Sequence, residues 1–408
     1  MRVKNRLVVK LLEKYKEISL LGKIGAVLDW DLNVNLPSKA SEGRANQSAY
    51  LTEIIVDKWL DPEFRKLLES LNEQPNSPLG GSKSKLTPEE KAIIRNLDWA
   101  AKFYYKVPKE IIIEKAKETS KAFMVWQEAK VKNDFASFRP HLEKIVKLDQ
   151  TIAEHVGYRE NRYDALLDLF EPGLTTSFLK KIFRTLQGEL TDILKKIQKN
   201  KAYRETPEEE KTYPIDDQKQ LSTFVLKRMG YDLNAGRMDI SSHPFTNALD
   251  RFDVRITNRY KGNDFKESLM VAMHEGGHAL YEQGVDEEYA GTPLDGGVSL
   301  GIHESQSRFW ENQIGRSLEF LEFMTPIFHA FYHEQLSGFR AESITKMFNE
   351  VKPGLIRVEA DEITYNLHII LRFELEEAMI NGKIKAKDLP EIWRERMKKY
   401  LGVTPKTD

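Results

Sequence analysis

The residues with the most chemical content lie in the segment His274-Glu275-Gly276-Gly277-His278. Histidines four positions apart share one face of a helix, and two imidazoles so placed hold one divalent metal ion. An acid next to the first histidine then lies beside the ion. There a carboxylate takes a proton from an activated water. Nine histidines and 63 acidic residues in 408 positions would give this spacing by chance roughly 0.03 times, so the motif carries weight without being decisive. The competing reading is a helix with two surface histidines and an exposed glutamate. A hydrolytic metal centre needs a third protein ligand and an open fourth position. The candidate is Glu304, in Gly301-Ile302-His303-Glu304-Ser305, 26 residues after His278 and behind the Gly/Pro/Asp-rich turn 291–297. Its neighbour His303 competes, but two His and one Glu form a common catalytic zinc set. That set makes Zn²⁺ the expected metal, with Co²⁺ able to substitute. His329 and His333 repeat the four-residue spacing, yet Ala330 follows the first and Ile327, Phe328 and Phe331 flank the pair. They read as part of a packed helix.

These side chains need a helix to position them. Asp264 is a plausible N-cap, with Glu267 placed for a capping box, and Gly284 is a plausible stop. Gly276 and Gly277 weaken that helix by about 1 kcal/mol each relative to Ala. Two explanations fit them: a bare surface for substrate backbone, or a close helix contact. Most of the chain has helical period. Leu7, Val8, Leu11, Leu12 and Tyr15 form one stripe, broken at Trp30-Asp31 and Leu36-Pro37; a second helix is expected over about 42–59. Residues 72–85 read as a loop and 206–211 as a polar break. Thr87-Pro88-Glu89-Glu90 opens another helix, with Thr as cap and Pro at its first position. Arg251 to Tyr260 instead alternates, with Phe252, Val254 and Ile256 on one side, which signals a strand.

The composition bounds the remainder. Lys+Arg is 62 against Asp+Glu 63, a balance that argues against a bulk nucleic-acid binder. With no Cys, disulfides, thiolate metal sites and thiol nucleophiles are excluded. Absent Cys and abundant Lys and Glu fit a heat-adapted source. No continuous apolar stretch suits a signal peptide or a membrane span, so the expectation is a cytoplasmic protein. Glycine and proline are sparse, which favours long helices. The expectation is one large, mainly α domain over 1–408 with a small β-sheet, in a two-lobed shape.

Beyond the metal motif, the chain resembles the carboxypeptidase Taq family of zinc metallocarboxypeptidases. The likeness runs through Trp30-Asp31, Pro37, Gly43-Arg44-Ala45 and Gln47, then Tyr163 to Asp168 and Glu171-Pro172-Gly173. It continues in His243-Pro244-Phe245, Asp253-Val254-Arg255-Ile256-Thr257, the His-Glu-Gly-Gly-His helix, His303 to Gln306, and Ile356-Arg357 through Ala360-Asp361. The resemblance implies a zincin-like, saddle-shaped helical fold with the sheet beside an active-site groove. It implies release of single residues from free peptide C-termini with broad preference, and a homodimer. It implies His274, His278 and Glu304 as ligands and Glu275 as base. Arg357 would grip the substrate carboxylate, since its guanidinium fork suits bidentate binding; an ion pair with Glu359 or Asp361 is the alternative. His243 would line the substrate site. Asp253, Arg255 and Asp361 would orient the ligands, Asp253 and Arg255 from the sheet. The family usually continues past Tyr400-Leu401-Gly402-Val403 with a G-x-x-Q-D-x-H-W motif, so part of the pocket is expected to be missing. Apolar surface at Ile363, Leu367, Ile370 and Leu371 would then be exposed. Two other outcomes are a zinc-binding but impaired form and an endo-acting zinc oligopeptidase.

Overall fold

The computed structural model describes residues 3–72, 86–200 and 211–407. Loop 72–85, apart from Asn72, and break 206–211, apart from Lys211, lie outside the described residues. The chain divides into two compact units. The first comprises Met1–Gly173, Asn247–Val254 and Glu282–Leu300, the second Leu174–Thr246, Arg255–Tyr281 and Gly301–Asp408.

Among the described residues the first unit holds seven α-helices: α1 (Arg6–Val34), α2 (Ser41–Trp59), α3 (Pro62–Asn72), α4 (Pro88–Lys106), α5 (Lys109–Lys132), α6 (Phe135–Val156) and α7 (Arg162–Asp168). The break expected at Trp30-Asp31 does not occur. α1 runs through it, with Trp30 buried, and stops at Asn35, just before Leu36-Pro37, where the proline disfavours helix in the residue ahead of it. α4 begins as its sequence reads. Thr87 accepts from the Glu90 amide and Glu90 reaches back to the Thr87 amide. The other oxygen of Glu90 accepts from the amides of Lys4 and Asn5, which ties the chain's start to α4. Val8, Leu11, Phe64, Leu68, Ile93 and Leu97 form the core of this unit, and Leu294 packs on it from the far sequence segment.

The second unit holds α8 (Thr176–Lys199), α9 (Ile215–Met229), α10 (Phe265–Gln283), α11 (Leu300–Arg308), α12 (Leu318–Phe331), α13 (Ala341–Phe348), α14 (Glu362–Ile380) and α15 (Leu389–Leu401), save that Leu300 and the last two residues of α10 belong to the first. Phe265, Leu269 and Met273 recur along α10 and sink into a cluster with Leu321, Phe328, Tyr332 and Phe348. Leu367, Ile370 and Leu371 of α14 are buried against α8 and α15, so the expected exposed stripe is not there; Ile363 packs at its edge. The strands are β1 (Gly236–Ile240), β2 (Thr246–Asp250) and β3 (Asp253–Asn258), in the order β1-β3-β2, with Asn247–Val254 belonging to the first unit. Two residues join β2 to β3, which requires an antiparallel hairpin. Val254 and Ile256 are fully buried as their alternation predicts. Phe252 departs from the pattern: it lies in the turn and is exposed. No helix among the described residues is long and apolar enough to cross a membrane.

Candidate metal centre

α10 starts where expected, because Asp264 accepts from the Lys266 amide at 2.8 Å. The capping box does not form, since Glu267 pairs with Arg259 and Lys261 instead. The helix stops at Gln283, but Gly284 has no left-handed backbone. The two glycines now have an explanation. A Cβ on Gly277 would lie 2.7 Å from the Gln306 carbonyl oxygen and from the Ser307 Cα, both backbone atoms of α11. A Cβ on Gly276 would meet the side chains of Leu226 and Met229 on α9. The glycines thus serve close helix contact, and Gly277 lets α11 bring its carboxylate to α10.

That approach assembles the candidate ligands. Glu304 Oε2 lies 3.3 Å from His278 Nε2 and 3.6 Å from His274 Nε2. One donor atom from each residue falls within 4.8 Å of the others, the one such group among the described residues. Bonds of about 2.0–2.1 Å in a tetrahedral shell put ligand atoms about 3.3–3.4 Å apart, so the donor set fits a single zinc-sized ion. His303 is not in the group. Its Nδ1 lies 2.6 Å from His278 Nδ1. With His278 Nε2 given to a metal, its Nδ1 carries the proton and donates, so His303 Nδ1 accepts.

α11 passes into a π turn over Phe309–Ile314, which carries Glu311. Glu311 Oε2 accepts from His274 Nδ1 at 2.7 Å, fixing the tautomer that presents Nε2 to a metal. Arg308 bridges both acids: Nε to Glu304 Oε1 at 3.0 Å and Nη1 to Glu311 Oε2 at 2.8 Å. Burial opposes the charge on Glu304, but the His278 hydrogen bond and the charges of His274 and Arg308 prevail and hold its pKa at about 2. Burial likewise opposes a cationic His274, yet Glu311 outweighs it and holds the imidazole above its ordinary range. Both carboxylates are therefore held ionised beside the imidazoles and Arg308. Glu275 is buried, and Thr246 donates to its Oε2 at 2.6 Å. Oε1 of Glu275 has no protein partner among the described residues.

The other expected residues are scattered. Arg357 makes no ion pair with Glu359 or Asp361. It donates from Nη1 to the Tyr365 hydroxyl at 2.7 Å, while Glu359 is taken by Arg259 and Lys261. Asp361 touches no ligand; it caps α14, accepting from the amides of Ile363 and Thr364. His243 is exposed and turns its Nδ1 to the Pro244 carbonyl, three residues before Thr246. Asp253 and Arg255 stand on β3 with Thr257. Thr257 Oγ1 holds the Phe245 amide at 2.9 Å and so steadies the segment leading to Thr246. His329 bonds the Phe339 carbonyl and His333 lies beyond the end of α12, so they form no metal pair. Sequence reasoning missed Thr246, Arg308 and Glu311. Glu311 had a signal, since 304, 308 and 311 share one helix face. Thr246 had none.

The arrangement fits a single metal ion held between two neighbouring helices. Residues 10–408 match the sequence profile of the carboxypeptidase Taq (M32) metallopeptidases, and the chain belongs to that family. It is a metallocarboxypeptidase. It is similar to thermostable carboxypeptidase 1 of Pyrococcus furiosus, 42% identical over 98% of this chain and 79% of the relative. Thermostable carboxypeptidase 1 of Thermus thermophilus is 38% identical over 97% of this chain and 78% of its own length. Among solved structures, the BsuCP crystal structure superposes with a TM-score of 0.93 at 35% identity, covering 99% of this chain and 80% of that one. The apo-Mg form of Pyrococcus furiosus carboxypeptidase gives 0.89 at 42%, with 99% and 80% covered.

Proposed function

We propose that this metallocarboxypeptidase uses zinc at His274, His278 and Glu304 and releases single residues from free peptide C-termini with broad preference. Glu275 is the general base and Arg357 grips the terminal carboxylate. The reading rests on the convergence of three ligand atoms beside a buried carboxylate with one oxygen uncommitted. When bound, the cation supplies Lewis acidity, acidifying water and polarising the scissile carbonyl. Thr246 holds Glu275 so that Oε1 stays available to accept a proton and return it to the departing amine. Arg357 supports the exopeptidase reading: its Nε–Nη2 edge has no protein partner among the described residues, and that edge matches a carboxylate in two parallel hydrogen bonds.

The test is Glu275→Gln. Metal content is expected to stay at the parent level, while kcat/KM on an N-blocked dipeptide falls by about 10²–10⁴-fold. Residual activity within threefold of the parent removes Glu275 from the role. The same dipeptide amidated at its C-terminus is expected to be spared. Equal turnover of the amide overturns the exopeptidase reading and Arg357's part in it.

A further inference from the structure

We infer that Arg308 is a positioning residue that makes Glu304 a one-oxygen ligand and so sets the coordination number of the metal. This rests on the reading of His274, His278 and Glu304 as ligands. The two oxygens of Glu304 are divided between partners. Oε1 accepts from Arg308 Nε at 3.0 Å, and Oε2 faces both histidine Nε2 atoms. Accepting from a guanidinium holds Oε1 toward Arg308 and lowers its electron density, which favours Oε2 as the oxygen that binds. Ser307 Oγ also donates to Oε2 at 3.1 Å and so pins the same rotamer. With one oxygen from Glu304, the protein gives three donor atoms and keeps a fourth position open. With two, that position would be crowded.

Arg308 is itself held on three sides. Its Nη1 donates to Glu311 Oε2, the atom that accepts from His274. Its guanidinium carbon lies 3.7 Å from the centroid of the Tyr365 ring, a stacked cation–π contact. One planar group therefore fixes the orientation of two of the three ligands, Glu304 directly and His274 through Glu311. A lysine cannot do this. Its ammonium is a point charge on a flexible stem, without the fixed fork that spans two carboxylates. Tyr365 also accepts from Arg357, so the brace is continuous with the residue assigned to the substrate carboxylate.

The experiment loads the parent, Arg308→Lys and Arg308→Met with Co²⁺ and records the visible absorption. Metal affinity is measured in parallel by competition with a chromogenic chelator. The parent is expected to give the intense bands of a four-coordinate ion. Arg308→Lys is expected to give the weaker bands of a higher-coordinate ion, with affinity reduced by about 10–100-fold. A structural role alone would change thermal stability but leave the bands of the folded fraction as in the parent. Parent-like bands and affinity within twofold in Arg308→Lys overturn the inference, and they do so whether or not Arg308→Met folds. A parent that takes up no Co²⁺ overturns the ligand assignment itself, a separate failure.

Discussion

At the scale of single residues, His368 shows how the surroundings set a charge state. It lies on α14, three residues after Tyr365, and is fully buried. Burial disfavours its cation, Arg372 and Arg357 repel it, and Asp361 only partly compensates, so its pKa falls from 6.5 to about 4. In the unfolded chain the ring takes a proton below about 6.5, whereas in the folded chain it does not until about 4. The stabilisation from its neutral form is therefore complete above pH 6.5 and is lost as pH falls toward 4. Between pH 7.5 and 4.5 that loss amounts to about 2–3 kcal/mol. His368→Gln is expected to flatten this part of the stability profile. Denaturant midpoints at the two pH values measure it, and an unchanged difference between variant and parent would remove His368 as its source. Only the Arg372 part was legible, one helical turn after His368; the burial of the ring and the approach of Arg357 are tertiary facts. The juxtaposition of His274, Glu275 and His278 was legible because it follows from spacing along one helix.

At the scale of elements, the contact of α10 with α11 decides whether the ligands meet. Gly277→Ala would drive a methyl group into the backbone of Gln306 and Ser307 at 2.7 Å. Backbone cannot step aside as a side chain does, so the helices must part. The expected cost is about 1–3 kcal/mol, with weaker metal retention. Gly276→Ala meets only the flexible ends of Leu226 and Met229, and alanine returns about 1 kcal/mol of helix propensity. Its stability is expected to stay near that of the parent. Thermal unfolding of the two variants checks the order, and a more damaging Gly276→Ala would refute the argument. The sequence exposed the glycines but left their purpose open, because the partner of a close contact is a tertiary fact. Helix periods were readable for the same reason that α10 was: one buried face repeats regularly. β1 and β2 escaped notice, being short and only partly buried. The Trp30-Asp31 break was misread because nothing in those residues forbids helix, whereas Pro37 does.

At the scale of the whole molecule, every proposed ligand belongs to the second unit. Metal bound to the folded state alone adds about 4 kcal/mol when its concentration is a thousand times Kd. Chelation is therefore expected to speed amide exchange in α10 and α11 and to leave the core of α1, α3 and α4 protected. Equal acceleration in that core would mean that both units open together. The first unit has a different dependence. Leu294 packs against its core, and Lys23 pairs with Asp250 and with Asp295, the latter 272 positions away. On a ribosome adding about 5–20 residues per second, residues 3–173 wait roughly 6–25 s for Leu294 to be made. Over that interval the nascent chain lacks one apolar side chain at the edge of its core and carries a lysine without its acids. Refolding of the finished polypeptide has no such wait. The unit made first is thus expected to be less stable during translation than in the finished chain, a difference that equilibrium unfolding of the purified protein does not report.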